Sequence, residues 1–365
     1  DTNKLHDFQW QQGYVDMLHS LEVLNNDELH YKRALLHEAE GDYTIQHKEP
    51  NTLYPNLHQY FQNAFNEINQ VKKLYPDDWK RIHDKLVVEK QEFVNLLSLA
   101  GINTRYEVSE DFQKQVRSVL MPKMNFQSTL DALLLLIDAP FFPASKEWIG
   151  VLRKKWCPES PLMALCSNVT KLDSNGNTVG VNKNNAGLTI EIHRYIRLHL
   201  LYYLWIIVEH YQCLQLNTEE GEIYGILKHK NSKYVNDEQL ILWAKSICAI
   251  LNGEPLLGSY VLVPQIESLI RQLAEGKIGD MTKLADELQQ EHTFGGILDK
   301  LRPYMPEDLN DELRLFLVDG CDENIRNEMM HGLIKNPMQV QKHSVYILYI
   351  ALNLYFREDV FLFQD

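Results

Sequence analysis

Apolar residues recur at three- and four-residue spacing along almost the whole chain, and that period commits it to α-helices. Residues 4–25, 55–75, 78–100 and 109–121 carry the pattern, with Pro55, Pro76 and Pro122 between them and Asp77-Asp78 as a helix start. "TLDALLLLIDAPFFP" continues as a buried helix that stops at Pro140. One stretch departs from the period. "NVTKLDSNGNTVGVNKNNAGLT" (168–189) is polar, and its Asn175-Gly176 suits a tight hairpin turn between Thr- and Val-bearing flanks. Helical spacing resumes over 188–215, 236–251, 256–275, 281–291, 294–302, 307–317, 324–331 and 338–357, with Gly and Pro breakers between the segments. The prediction is an all-α protein: a helical N-terminal domain (1–165), a hairpin or loop insertion (166–190), and a C-terminal helical domain (191–365) built as an up-and-down bundle.

Composition narrows the classes. Apolar residues at 45% and charged residues at 24% describe a globular chain of 365 residues. A formal charge of −14 argues against a generally basic, nucleic-acid-coating surface, but leaves room for a local basic site. The five cysteines (157, 166, 213, 248, 321) are odd in number and form no C-x-x-C pair, which reads as buried thiols in a reducing cytosol. The chain shows no signal-peptide pattern, and its longest apolar run, near Leu200–Val208, is too short to span a bilayer. A cytoplasmic protein without a membrane partner is therefore expected.

"NIRNEMMHGL" (324–333) sets an Arg, an Asn and a His among strongly apolar helices. Asp322 or Asn324 is placed to cap this short helix, and Gly332 to end it. Arg326 and His331 are five residues apart, roughly 140° around an ideal helix, so they do not share a narrow stripe. Their side chains suit phosphodiester cleavage. A His moves protons near neutral pH, taking one from a ribose 2′-OH or giving one to a leaving 5′-oxygen. An Arg holds phosphate and stabilises charge building on it, and Asn327 can orient either. No carboxylate–His cluster of metal-ligand type accompanies them, so no metal and no cofactor is expected. A capped helix with a surface Arg and a half-buried His accounts for the same residues without any chemistry.

The run Arg326-Asn327-Glu328-Met329-Met330-His331-Gly332 resembles the R-N-x-x-x-H-G signature of one branch of the HEPN superfamily. "YVLVPQIESLIRQLA" (260–274) is similar to an upstream helix of that branch, and the resemblance covers about 245–357. Met330 departs from the Ala common there. The resemblance implies a helical bundle that dimerises face to face, so that the Arg and His of both copies meet in one cleft. It further implies metal-independent RNA cleavage leaving a 2′,3′-cyclic phosphate, on tRNA or mRNA. The setting it implies is a toxin or anti-phage effector with an antitoxin or defence-system partner protein. The catalytic set would be Arg326, Asn327 and His331, supported by Glu267, Arg271 and Gly332. The alternative is a non-catalytic HEPN-like scaffold that binds a nucleotide or a protein.

Other candidates read more plainly. Glu267 and Arg271, at i and i+4, form either a helix-surface ion pair or a support that orients Arg326 or His331. "EIHRYIRLHLLYYLWIIVEHY" (191–211), with His193, Arg194, Arg197, His199 and His210, is either an RNA track or, more simply, a core helix with polar edges. "VLRKKW" (151–156) and "ILKHKNSKY" (226–234) read as solvated basic loops.

Overall fold

The computed structural model describes residues 2–47, 57–100, 107–139, 146–159, 169–172, 178–182, 187–216, 218–279, 282–285, 288–334 and 336–358. The chain is all-α, as its apolar period requires. It divides into two compact units: residues 1–104 with 171–179, and residues 105–170 with 180–365.

The first unit is built from α1 (Thr2–Ser20), α2 (Asn26–His47), α3 (Leu57–Gln70) and α4 (Pro76–Ala100). Helices α2, α3 and α4 close on Ala34, Ala64, Ile68, Val71 and Ile82, with Phe61, Leu57 and Leu86 forming a second small cluster. Pro76 stands at the first position of α4, where its fixed φ favours the turn and its missing N–H costs nothing.

The second unit holds the larger core. Its helices are α5 (Glu110–Leu120), α6 (Thr129–Ile137), α7 (Lys146–Glu159), α8 (Gly187–Cys213), α9 (Glu220–Lys230), α10 (Asp237–Leu251), α11 (Pro255–Ile278), α12 (Phe294–Leu301), α13 (Glu307–Leu317), α14 (Ile325–Met330) and α15 (Pro337–Phe356). The division at 104/105 differs from the expected first domain of 1–165. Val116 and Leu120 of α5 and Leu133 and Leu136 of α6 are buried in the same cluster as Leu204 and Ile207 of α8, so these helices belong with the C-terminal half. Ser128 and Asp131 form a reciprocal capping box at the start of α6, and Asn236 and Gln239 do the same for α10.

Helix α15, expected as the long buried last helix, is buried on all sides from His343 to Tyr355, with α6, α8, α10 and α11 packed around it. A helix apolar all round must lie at the centre of its bundle.

Among the described residues two short sheets interrupt the helices. Strands β1 (Val169–Leu172) and β2 (Thr178–Asn182) form a two-stranded sheet in the segment expected as a hairpin, while the Asn175-Gly176 turn itself lies outside the described residues. Within the segment 281–291, expected as a helix, β3 (Thr282–Ala285) and β4 (Leu288–Glu291) instead pair as antiparallel strands, with Thr282 opposite Glu291. A helix of that length is marginal without a buried face. The end of β4 is tied down from α11: Arg271 pairs with Glu291 at 3.1 Å and donates to the His292 carbonyl at 3.2 Å. Among the described residues no helix is long and apolar enough to cross a membrane.

Candidate functional site

Helix α14 is six residues long. It buries only Ile325 and Met329, one turn apart, against α13 and α11. That pair leaves Arg326 and Asn327 on the other side. Neither expected cap works as anticipated. Asn324 holds the N-cap position but adopts the left-handed region (φ 54°), and its side chain caps no helix N–H. It accepts instead from Asn327 Nδ2 at 2.8 Å. Asp322 is drawn away into the core by Arg194 and Arg197. The C-terminal expectation fits the geometry. Gly332 has φ 65°, its N–H donates to the Met329 carbonyl at 3.3 Å, and the Leu333 N–H donates to the Glu328 carbonyl at 2.8 Å. This pair of bonds is the Schellman arrangement, whose left-handed residue favours Gly.

Arg326 is fixed from two sides. Its Nε donates to Glu267 Oε2 at 2.7 Å, its Nη2 lies 2.7 Å from the same oxygen, and its Nη1 donates to Asn327 Oδ1 at 2.8 Å. Asn327 is fixed in turn, donating to the Val318 carbonyl at 3.2 Å as well as to Asn324. The other oxygen of Glu267 accepts from Arg271 Nη2 at 3.1 Å. Glu267 thus makes the i, i+4 pair with Arg271, worth about 0.3–0.5 kcal/mol on a helix surface, and also bonds Arg326. The guanidinium retains N–H bonds on both Nη atoms that neither Glu267 nor Asn327 takes.

The structure brings Arg326, Asn327, Glu267 and Arg271 together. It does not bring His331 to them. His331 follows the last residue of α14, is exposed, and makes no side-chain hydrogen bond or ion pair among the described residues. The half-buried His anticipated from the sequence is thus a solvent-facing one. Leu257 and Tyr260, two to three turns ahead of Glu267 on α11, are exposed, as are Met330, Leu333 and Met338 in and after α14.

The aromatic helix α8 is a core element whose Arg194, His199 and His210 are only partly buried. His193 and Arg197 are buried, which removes them from any RNA track. The basic segments are not the loops expected: 151–156 lies within α7 and is mostly exposed, whereas 226–234 runs out of the end of α9 and buries Leu227 and Ser232. Sequence reasoning overlooked the acidic partners of α8, namely Glu312, Asp322 and Glu323. Their only signal is a set of carboxylates bordering apolar runs. Compared with protein-family models, with curated proteins and with solved structures, the chain matches none of them.

Proposed function

We propose that the protein is a metal-independent endoribonuclease of HEPN type, acting on tRNA or mRNA as a toxin or defence effector. The observation that carries this reading is a preorganised Arg326, held by Glu267 and Asn327, on the same short segment as a solvent-facing His331. In the reaction, His331 takes the proton from a ribose 2′-OH, and the 2′-oxygen attacks the adjacent phosphorus. The 5′-oxygen leaves and receives a proton, giving a 2′,3′-cyclic phosphate and a 5′-OH end. Arg326 holds the phosphate and offsets its growing charge.

One chain supplies one acid–base group, whereas the reaction uses two. A symmetric homodimer that faces α14 and the Glu267 region of α11 toward their copies supplies both. The exposed Leu257 and Tyr260 of α11 and Met330 and Leu333 at the end of α14 support such a face. An antitoxin or other defence-system protein is the further partner this reading implies, and the cytoplasm is its compartment.

The test is incubation of the purified protein with total cellular RNA in the presence of a chelator, with mapping of the new ends. Discrete cuts bearing cyclic phosphates support the proposal, and intact RNA under all conditions refutes it. A second reading, a non-catalytic scaffold, draws on Glu267 neutralising Arg326 in the resting structure. It is distinguished by RNA left uncut while a nucleotide or protein still binds.

A further inference from the structure

The connection between α13 and α14 has no helix and no sheet to hold it, yet it is heavily tied to the helices around it. Arg194 Nε donates to Asp322 Oδ1 at 2.8 Å and its Nη2 to the Cys321 carbonyl at 2.9 Å. Arg197 Nη2 donates to Asp322 Oδ2 at 2.9 Å, and its Nη1 lies 3.8 Å from Glu323. His343 Nε2 of α15 lies 3.2 Å from the other oxygen of Glu323. Behind these, Arg197 Nε donates to Glu312 at 2.9 Å, and Glu312 also takes His193 Nδ1 and Tyr346 OH, each at 2.6 Å. On the remaining side, the backbone of Gly180 in β2 lies against Gly320 and Cys321, where any side chain would collide.

Buried ion pairs of this kind are a poor source of net stability, because desolvation consumes most of their attraction and well-packed apolar residues do as well. What a guanidinium fork set between carboxylates does supply is direction. That direction is passed on toward α14. Asn327 is bonded back to both ends of the tied connection, to the Val318 carbonyl and to Asn324, and Arg326 is bonded to Asn327.

We propose that Arg194 and Arg197 are positioning residues for Arg326, acting through Asp322 and Cys321 on the 318–324 connection and from there through Asn327. The catalytic half of this inference rests on the nuclease reading, whereas the positional half does not.

Three variants test it: Asp322→Asn, Arg194→Gln and Arg194→Lys. Arg194 is one-third exposed, so its loss leaves the buried Arg197–Asp322 pair in place and the domain folded. Amide exchange is the first readout. Arg194→Gln and Asp322→Asn should speed exchange over 325–333 while α10 and α15 keep wild-type protection. The second readout is RNA cleavage, where kcat should fall about 10- to 100-fold with KM little changed, as for a displaced catalytic group. Arg194→Lys should recover only part of the loss, since Lys keeps the charge without the fork.

Wild-type exchange over 325–333 in a folded Arg194→Gln protein overturns the proposal, whether or not Asp322→Asn folds. So does exchange that rises evenly through all helices of the domain, the mark of a merely structural role. If the wild-type protein cuts no RNA, the nuclease reading falls, and the exchange data alone decide the positional claim.

Discussion

Glu312→Gln removes a charge but almost no volume from the middle of the second unit. The carboxylate is buried and accepts from Arg197, His193 and Tyr346. Burial alone would raise its pKa, but the Arg197 charge and the His193 and Tyr346 hydrogen bonds outweigh that and hold it down at about 2, against an ordinary 4.5. A carboxyl lowered that far contributes about 3 kcal/mol at neutral pH. Breaking a buried ion pair costs ~3–5 kcal/mol, and because Arg197 keeps its bond to Asp322 the loss here falls toward the lower end. The variant should therefore lose about 3–5 kcal/mol near neutrality, a fall in melting temperature of roughly 6–20 °C for a domain of this size. Because the folded pKa is depressed, the contribution is complete above the ordinary value and drains away as pH falls toward the folded one. Urea unfolding of both proteins, at about pH 7 and about pH 3, reads this directly: the gap between them should narrow in acid. A gap under about 1 kcal/mol at neutral pH, or one that stays constant on acidification, would refute the reasoning.

The site itself gives further expectations. His331→Ala and Arg326→Ala should each cut RNA cleavage by about 10²–10⁴-fold with the fold intact, as read from cleavage rates and melting temperature on the same samples. Arg326→Lys should fail similarly, because Lys cannot meet Glu267, Asn327 and a phosphate with one planar fork. Gly332→Ala should cost about 1 kcal/mol through the strain of a Cβ at φ 65°, measurable by thermal unfolding. Gel filtration with light scattering should report a dimer at micromolar concentration, and a monomer with full nuclease activity would refute the composite cleft.

Helix boundaries were legible where apolar period and punctuation agreed. The period marks 338–357 and the helix runs Pro337–Phe356; it marks 236–251 and the helix runs Asp237–Leu251. It misled at 281–291, where Met281, Leu284, Ala285 and Leu288 keep a helical spacing although 282–285 and 288–291 pair as strands. Within the candidate site, local chemistry was readable. Gly332 as a helix stop and Glu267 as the i, i+4 partner of Arg271 follow from residue type and spacing. Long-range pairing was not. Arg197 and Asp322 are 125 residues apart, and nothing in the sequence near either one names the other. Asp322 looked like a cap for α14 because only its neighbours in sequence could be weighed against it.

The six residues of α14 stand between two left-handed positions, Asn324 at one end and Gly332 at the other. Such a segment is a fixed-length cassette. An ordinary helix absorbs an inserted residue by growing or fraying at an end, but both ends of α14 are latched, one to Asn327 and one to the Glu328 and Met329 carbonyls. A single residue inserted after Asn327 would therefore turn His331 by about 100° relative to Arg326 or force a latch open. Point substitutions at Glu328 or Met330 leave that spacing untouched, so the segment tolerates changes of letter far better than changes of length.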